Sequence, residues 1–124
     1  MIEAMKDFAM GFVYAFRGLG LAARGRNMAV HILLALVAIS LLAAYSITGA
    51  RFDVVVVLIG LVIAMETVNT AIEALCNLVS DELHLTNPDP RIRNIKDMSA
   101  GAVLIVAIAS GIVACFIYLP YLTR

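Results

Sequence analysis

Three long apolar runs, separated by short polar segments, dominate the pattern of hydrophobic and polar positions along the chain. The first, Met28–Ile47, has no formal charge, and at about 1.5 Å per helical residue it would cross a hydrocarbon core of about 30 Å. The second and third runs, Asp53–Val79 and Met98–Thr123, are longer still. Because a backbone in lipid must satisfy its own hydrogen bonds, the pattern predicts three membrane-spanning α-helices.

The first segment, residues 2 to about 23, has an amphipathic pattern instead. Apolar side chains recur along one side at helical spacing, and most charged side chains fall on the other side. The apolar members are Met5, Phe8, Phe12, Phe16, Leu19 and Ala23. The segment carries too much charge to span, so we expect a helix that lies along the membrane surface.

Two polar segments connect the predicted spans. Thr48–Arg51 is short and predicts a turn between the first and second spans. Ser80–Asp97 is longer and rich in charge, and it contains Pro88 and Pro90, which interrupt helices. We therefore predict a long loop between the second and third spans.

Composition supports a membrane protein and excludes other classes. Of the 124 residues, 63% are apolar and 15% are charged, which is more apolar surface than a soluble domain of this length can bury. We expect residues 1–124 to form a single membrane-embedded domain. The formal net charge is zero, so no basic excess indicates a nucleic-acid partner. Cys76 and Cys115 lie in apolar runs without metal-type spacing and are interpreted as small buried hydrophobes.

The distribution of lysine and arginine predicts the orientation. The segment before the first span contains Lys6, Arg17, Arg24 and Arg26, whereas the first turn contains only Arg51. The predicted Ser80–Asp97 loop contains three more basic residues. The positive-inside rule therefore places the amino terminus and this loop in the cytoplasm and the carboxyl terminus outside, in a bacterial-type inner membrane.

A polar stripe occupies the end of the second span. Five residues fall within about 100° of one another on a helix: Glu66, Asn69, Thr70, Glu73 and Asn77. A charge at bilayer depth costs at least ~2.5 kcal/mol, so the stripe should face protein or a water-filled cavity. The two carboxylates repel one another unless a metal ion or a proton lies between them. A stripe that only locks helices together is the alternative.

Depth assigns different chemistry to the two carboxylates. Glu66 would lie about 10 Å deeper than Glu73, where a general base could reach the hydroxyl of a lipid. Glu73, nearer to water, suits magnesium bound together with substrate phosphates. Lys96 could neutralise a phosphoryl group during transfer. The chain has no Walker A loop, G-x-G-x-x-G motif or kinase catalytic-loop signature, so a common nucleotide fold is not expected.

Two motifs resemble those of a known family. Glu66–Glu73, then a loop histidine, then Lys96 and Asp97 followed by small residues, closely resemble the small prokaryotic diacylglycerol kinase and undecaprenol kinase family. Tyr14–Gly18 and Arg26–His31 also look like the family, so the resemblance covers nearly the whole chain. It implies an ATP- and magnesium-dependent lipid kinase that forms a homotrimer with active sites between subunits.

The resemblance also implies roles for individual residues. By matching position, Glu66 would be the general base, Asn69 would support the base and the phosphate, and Glu73 would bind magnesium. The residues expected to contact ATP are Tyr14, Glu73, Glu82, His84, Lys96 and Asp97. Those expected to bind the lipid are Glu66, Asn27, His31 and Ser99, although His31 by itself indicates an interfacial hydrogen-bonding residue.

The chain departs from the family pattern at two places. The family usually has a second metal-binding glutamate just before the Arg-Asn pair, and here that position is Gly25. The segment from His84 to Lys96 is also about five residues longer than the usual spacing in the family. The first departure leaves the family's second metal ligand without a carboxylate at its usual position, and the second changes the spacing between His84 and Lys96.

Several functions remain open at the level of sequence. Among lipid kinases we favour undecaprenol over diacylglycerol as the substrate, because Arg26–His31 looks more like the undecaprenol kinase branch. A small proton-coupled transporter that titrates Glu66 is one alternative, but it gives Lys96 and Asp97 no role. A catalytically dead assembly protein is another, suggested by Gly25, and it predicts no magnesium-dependent nucleotide binding.

Overall fold

The residues that the structure describes form four helices. This computed structural model describes residues 1–85 and 89–123. The helices are α1 (Ile2–Ala22), α2 (Arg26–Ala44), α3 (Ala50–Glu82) and α4 (Pro90–Leu122). By length and composition, α2, α3 and α4 can each cross a membrane, which confirms the prediction of an all-α protein with three such helices.

The prediction of a long loop between the second and third spans is wrong. α3 continues to Glu82 and α4 begins at Pro90, so both ends of the predicted Ser80–Asp97 loop are helical. The part of that prediction at residues 86–88 lies outside the described residues. The helices extend because an α-helix satisfies its own backbone whether it is in lipid or in water. Pro90 does not oppose this, because proline is well accommodated at the first position of a helix.

The ends of the other helices also differ from the predicted bounds. α2 begins at Arg26 and ends at Ala44, which is earlier than the predicted Met28–Ile47 at both ends. α3 begins at Ala50, so Arg51 is helical rather than part of the predicted turn. Gly49 precedes α3 with a φ of +66°, in the left-handed region that glycine adopts readily, and this explains why the connection can be so short.

The start of α4 is fixed by a capping interaction. A carboxylate oxygen of Asp89 accepts a hydrogen bond from the backbone N–H of Arg91 at 2.8 Å. The Arg91 guanidinium also donates to the same carboxylate, with an Nη2–Oδ2 distance of 2.7 Å. These hydrogen bonds lower the pKa of Asp89 from 3.8 to about 2. The hydrogen bond from the Arg91 side chain contributes most, and the one from the Arg91 backbone comes second. A charged Asp89 therefore holds the first turn of α4.

α3 is the central helix, and it packs against α4, α2 and α1. At one end of the bundle, Leu42, Ile47, Val55 and Tyr118 form a buried apolar cluster. At the same end the Arg51 guanidinium donates a hydrogen bond to the Tyr121 hydroxyl at 2.6 Å. α3 therefore runs antiparallel to both α2 and α4. We call this end the Tyr121 end and the opposite end the Glu73 end.

Tyr118 is buried between two helices of the bundle. It is only 6% exposed, and its hydroxyl donates to the backbone carbonyl oxygen of Ala38 at 2.8 Å. A buried hydroxyl requires such a partner, and here the partner belongs to another helix. Tyr118 therefore connects α4 to α2.

α1 is an unbroken helix at the edge of the bundle. Ala22 is its buried residue, and its large apolar side chains are exposed in the single chain. Contact with the bundle is made with α3. Its position along a membrane surface remains a prediction from the sequence.

Candidate active site

The polar stripe of α3 is buried where it is deepest. Glu66 is 3% exposed and Asn69 is 2% exposed, and they are the buried polar residues of the part of the chain that the structure describes. Glu73, one turn beyond Asn69, is partly buried, and Asn77 is exposed. The stripe thus passes from a closed environment to an open one towards the Glu73 end.

His31 lies opposite Glu66. It is near the start of α2, and its Nε2 atom is 3.9 Å from Glu66 Oε2. That separation is too long for a direct hydrogen bond. A hydroxyl oxygen could, however, lie at about 2.8 Å from both atoms, donating its proton to the carboxylate and accepting a hydrogen bond from the imidazole. The pair is therefore suited to bind an alcohol.

Asn69 and Glu73 offer oxygen atoms that suit a cation. The Asn69 amide nitrogen donates to Glu73 Oε1 at 3.5 Å, while the buried Asn69 Oδ1 has no partner among the described residues. An unpaired buried acceptor is unfavourable, so Asn69 Oδ1 is available to accept a further partner. A carboxylate and an amide oxygen are ligands that magnesium accepts, usually together with water and phosphate oxygens.

The cation would receive few ligands from the described part of the chain. No group of three or more histidine, cysteine, aspartate or glutamate side chains that could hold a metal occurs among residues 1–85 and 89–123. This agrees with a magnesium ion that is held mainly by a phosphorylated substrate rather than by a protein cage. The residues present therefore fit a magnesium ion whose remaining ligands would be phosphate oxygens of the substrate and water.

The structure shows where the missing carboxylate would have been. Gly25 precedes α2, and a Cβ atom added there would lie 4.0 Å from Thr70 Oγ1. Thr70 follows Asn69 on α3 and lies one turn before Glu73. A longer side chain at position 25 would therefore begin beside Thr70, a member of the stripe.

Lys96 has a partner that the sequence did not reveal. Its ammonium group donates to Asn77 Oδ1 at 3.0 Å and so connects the first turns of α4 to the end of α3. Asn77 was predicted as part of the stripe, but without a role. The only available signal was its place on the same face as Glu73, because the pairing depends on how α3 and α4 pack.

The remaining predicted residues are not assembled around the stripe in the single chain. Tyr14, Glu82, His84, Asp97 and Asn27 are exposed, and Ser99 is partly buried. Among the residues that the structure describes, none of them hydrogen bonds to Glu66, Asn69 or Glu73. Asp97 instead lies 4.0 Å from Arg93 on the same exposed face of α4.

The fold and the stripe together define a class, namely a helical membrane protein with a buried carboxylate at one end of its spans. Within that class, residues 13–118 match the profile of the prokaryotic diacylglycerol kinase family. The chain is also 33% identical over 119 residues to undecaprenol kinase of Bacillus subtilis (strain 168), covering 95% of this chain and 93% of that protein. No solved structure gives a significant match.

The chain therefore belongs to the prokaryotic diacylglycerol kinase family, and it is a lipid kinase. This confirms the family that the motifs indicated and favours a kinase over the transporter and the assembly protein. The assignment of individual residues within the site is not tested by these comparisons and is taken up as a proposal below.

Proposed function

We propose that the protein transfers the γ-phosphoryl group of ATP to the hydroxyl of undecaprenol, giving undecaprenyl phosphate and ADP. The observation that carries this proposal is the buried Glu66 carboxylate with His31 Nε2 3.9 Å away, a pair that can hold an alcohol. Undecaprenol is favoured over diacylglycerol by the resemblance of Arg26–His31 and by the name of the Bacillus subtilis relative.

In this proposal Glu66 is the general base and His31 orients the alcohol. The carboxylate accepts the hydroxyl proton while the hydroxyl oxygen forms a bond to the γ-phosphorus atom. The bond between that phosphorus and the bridging oxygen breaks, and ADP leaves with the electron pair. The imidazole donates a hydrogen bond to the attacking oxygen and so limits its orientations.

Glu73 and Asn69 Oδ1 would hold magnesium together with the phosphates of ATP. When bound, the cation neutralises phosphate charge and fixes the nucleotide against α3. Lys96 would place its ammonium group near the same phosphates, held in that region by Asn77. The order along α3 then places the alcohol at the buried end of the stripe and the nucleotide at the open end.

The other ATP contacts are proposed to come from a homotrimer. Tyr14, Glu82, His84 and Asp97 are exposed in the single chain and are free to complete a nucleotide site between subunits. The Glu73 end, where Glu82, His84 and Asp97 lie with Lys96, would face the cytoplasm of a bacterial inner membrane. That orientation follows from the distribution of lysine and arginine and is where ATP is available.

The replacement of Glu66 by glutamine tests the general-base role directly. Glu66→Gln keeps the size of the side chain but removes its basicity, so we expect transfer to fall by at least about 100-fold. The affinity for magnesium and ATP should be unchanged, as measured by titration with a fluorescent nucleotide. Activity close to that of the unchanged protein would refute the assignment of Glu66.

A further inference from the structure

A groove runs along the membrane-spanning part of the bundle, beginning beside the candidate active site. It encloses a cavity of about 330 Å³. Its floor is formed by α3, through Val55, Ile59, Val62 and neighbouring residues. α2 and α4 form its two walls and make few direct contacts with one another. The Tyr118 hydroxyl, which donates to the Ala38 carbonyl, ties the walls together towards the Tyr121 end.

The groove and the candidate active site share a residue and a helix face. His31 lines the groove at one end, and its Nε2 atom is 3.9 Å from Glu66 Oε2. On α3 the floor residues Ile59, Val62 and Ile63 follow helical spacing, and Glu66 is the next residue on that face. The groove is therefore continuous with the place where the alcohol would bind.

The groove is suited to hydrocarbon rather than to water. Its lining is apolar except for His31, Ser110 and the hydroxyl of Tyr118, and the Tyr118 hydroxyl is already bonded to α2. Ser110 Oγ is buried and has no partner within the described residues. A stable buried water needs two or more polar partners, and the lining offers few such groups.

We infer that this groove binds the hydrocarbon chain of the substrate lipid, and that Gly111 controls the space available to it. The inference rests on the proposed function, because the chain of an alcohol whose hydroxyl lies between Glu66 and His31 must leave from that point. The groove is the cavity that begins there. The occupant is therefore a single hydrocarbon chain attached to the reacting hydroxyl, as a polyprenol provides.

The α4 wall is built from small residues at the level of the groove. Ala107, Gly111 and Ala114 line it at successive turns of the helix. A Cβ atom added at Gly111 would meet no atom within 4 Å, so the position faces open space. A larger side chain there can extend into the groove without displacing protein atoms, and it would then compete with the lipid chain.

The test is a graded series at Gly111, assayed in mixed micelles with undecaprenol and ATP. Gly111→Ala should change the KM for the lipid little, and Gly111→Leu should raise it by about tenfold, which corresponds to about two methylene groups losing contact. The KM for ATP should stay unchanged in both. Ala109→Leu is the matched control, because it adds similar bulk to the same helix at an exposed position outside the groove.

Three other outcomes have distinct meanings. An unchanged lipid KM in Gly111→Leu, with full activity, would overturn the inference and leave the proposed function intact. A change in subunit number by light scattering, without a change in lipid KM, would show that a helix of a second copy occupies the groove and would also overturn it. Absence of transfer by the unsubstituted protein would instead refute the proposed function, on which the inference rests.

Discussion

Glu66 owes its surroundings to its place on α3. The face that carries it packs against α2, so the carboxylate lies among apolar neighbours with His31 opposite. Four residues along the chain from Asn69, Glu73 is partly open, and the two carboxylates therefore meet different environments on one helix. This difference supports the proposal that Glu66 acts on the lipid hydroxyl and that Glu73 binds the magnesium ion with the nucleotide.

Sequence could predict which residues form the stripe, but not what they touch. Glu66, Asn69, Glu73 and Asn77 share a face because the periodicity of a helix is fixed. Their partners depend on how far α2 and α4 are shifted along α3, and no local pattern specifies that shift. The proximity of His31 to Glu66 is for this reason visible only in the structure.

Gly25 gives a prediction at the level of a single residue. Because this position lies beside Thr70, Gly25→Glu should place a second carboxylate near Glu73 and increase the apparent affinity for magnesium. We expect the half-saturating magnesium concentration for transfer to fall about threefold to tenfold. It is measured by titrating magnesium at a fixed ATP concentration.

Gly25→Gln is the matched control for this change. It adds nearly the same volume as glutamate but no charge. In both variants the new Cβ atom lies 3.2 Å from the Ala22 carbonyl oxygen, so the steric effect is matched. If both variants shift the magnesium dependence equally, the effect is steric and the location of the cation beside Glu73 is contradicted.

At the scale of the helices, the polar extensions are as important as the apolar spans. The apolar runs correctly predicted three helices that are long and apolar enough to cross a membrane, since hydropathy identifies the segments that can enter lipid. The same criterion ended the helices at the edge of the apolar sequence, which was wrong for α3 and α4. The extra turns bring Lys96 beside Asn77, a contact that a loop would not fix.

The contact between Asn77 and Lys96 predicts a specific change in rate. Asn77→Leu removes the oxygen that accepts from Lys96, so the ammonium group should be less well placed for the phosphoryl group. We expect kcat to fall about threefold to tenfold with an unchanged KM for the lipid, because an exposed hydrogen bond contributes modestly. Steady-state kinetics with both substrates varied measure the two effects separately.

Asn77→Asp and Asn94→Leu are the controls. The aspartate keeps an acceptor for Lys96 and should restore most of the rate. The second change adds leucine at an exposed position of α4 and should have little effect. Equal losses in Asn77→Asp and Asn77→Leu would show that Asn77 does not act through this acceptor.

Asp89 predicts how the start of α4 responds to acid. Its pKa in the folded protein is about 2, below its ordinary value of 3.8, so the charged form stabilises the capped turn. The contribution should be fully present above about pH 4 and should be lost as the pH falls through about 2. Hydrogen exchange of the amides at the start of α4, followed between pH 5 and pH 2, measures this loss.

Asp89→Asn removes the charge but keeps an oxygen that can accept from the Arg91 backbone. Protection at the start of α4 in this variant should be lower than in the unchanged protein at pH 5 and should no longer depend on pH in this range. A pH dependence that persists in the variant would show that another group is responsible.

At the scale of the whole molecule, the bundle separates an apolar half from a polar end. The Tyr121 end contains the buried apolar cluster and the contact between Arg51 and Tyr121. The Glu73 end carries the open part of the stripe, and the groove connects this end with the interior of the span. A lipid kinase needs this arrangement, because one substrate is dissolved in the membrane and the proposed second one is dissolved in water.

The central claim is that the polar end transfers phosphate from ATP to undecaprenol. The most direct measurement offers undecaprenol and diacylglycerol side by side to the purified protein with ATP labelled at the γ-phosphate. We predict labelled undecaprenyl phosphate as the main product, with the label lost when magnesium is chelated. Labelled phosphatidic acid as the main product, or transfer that survives chelation, would contradict the account.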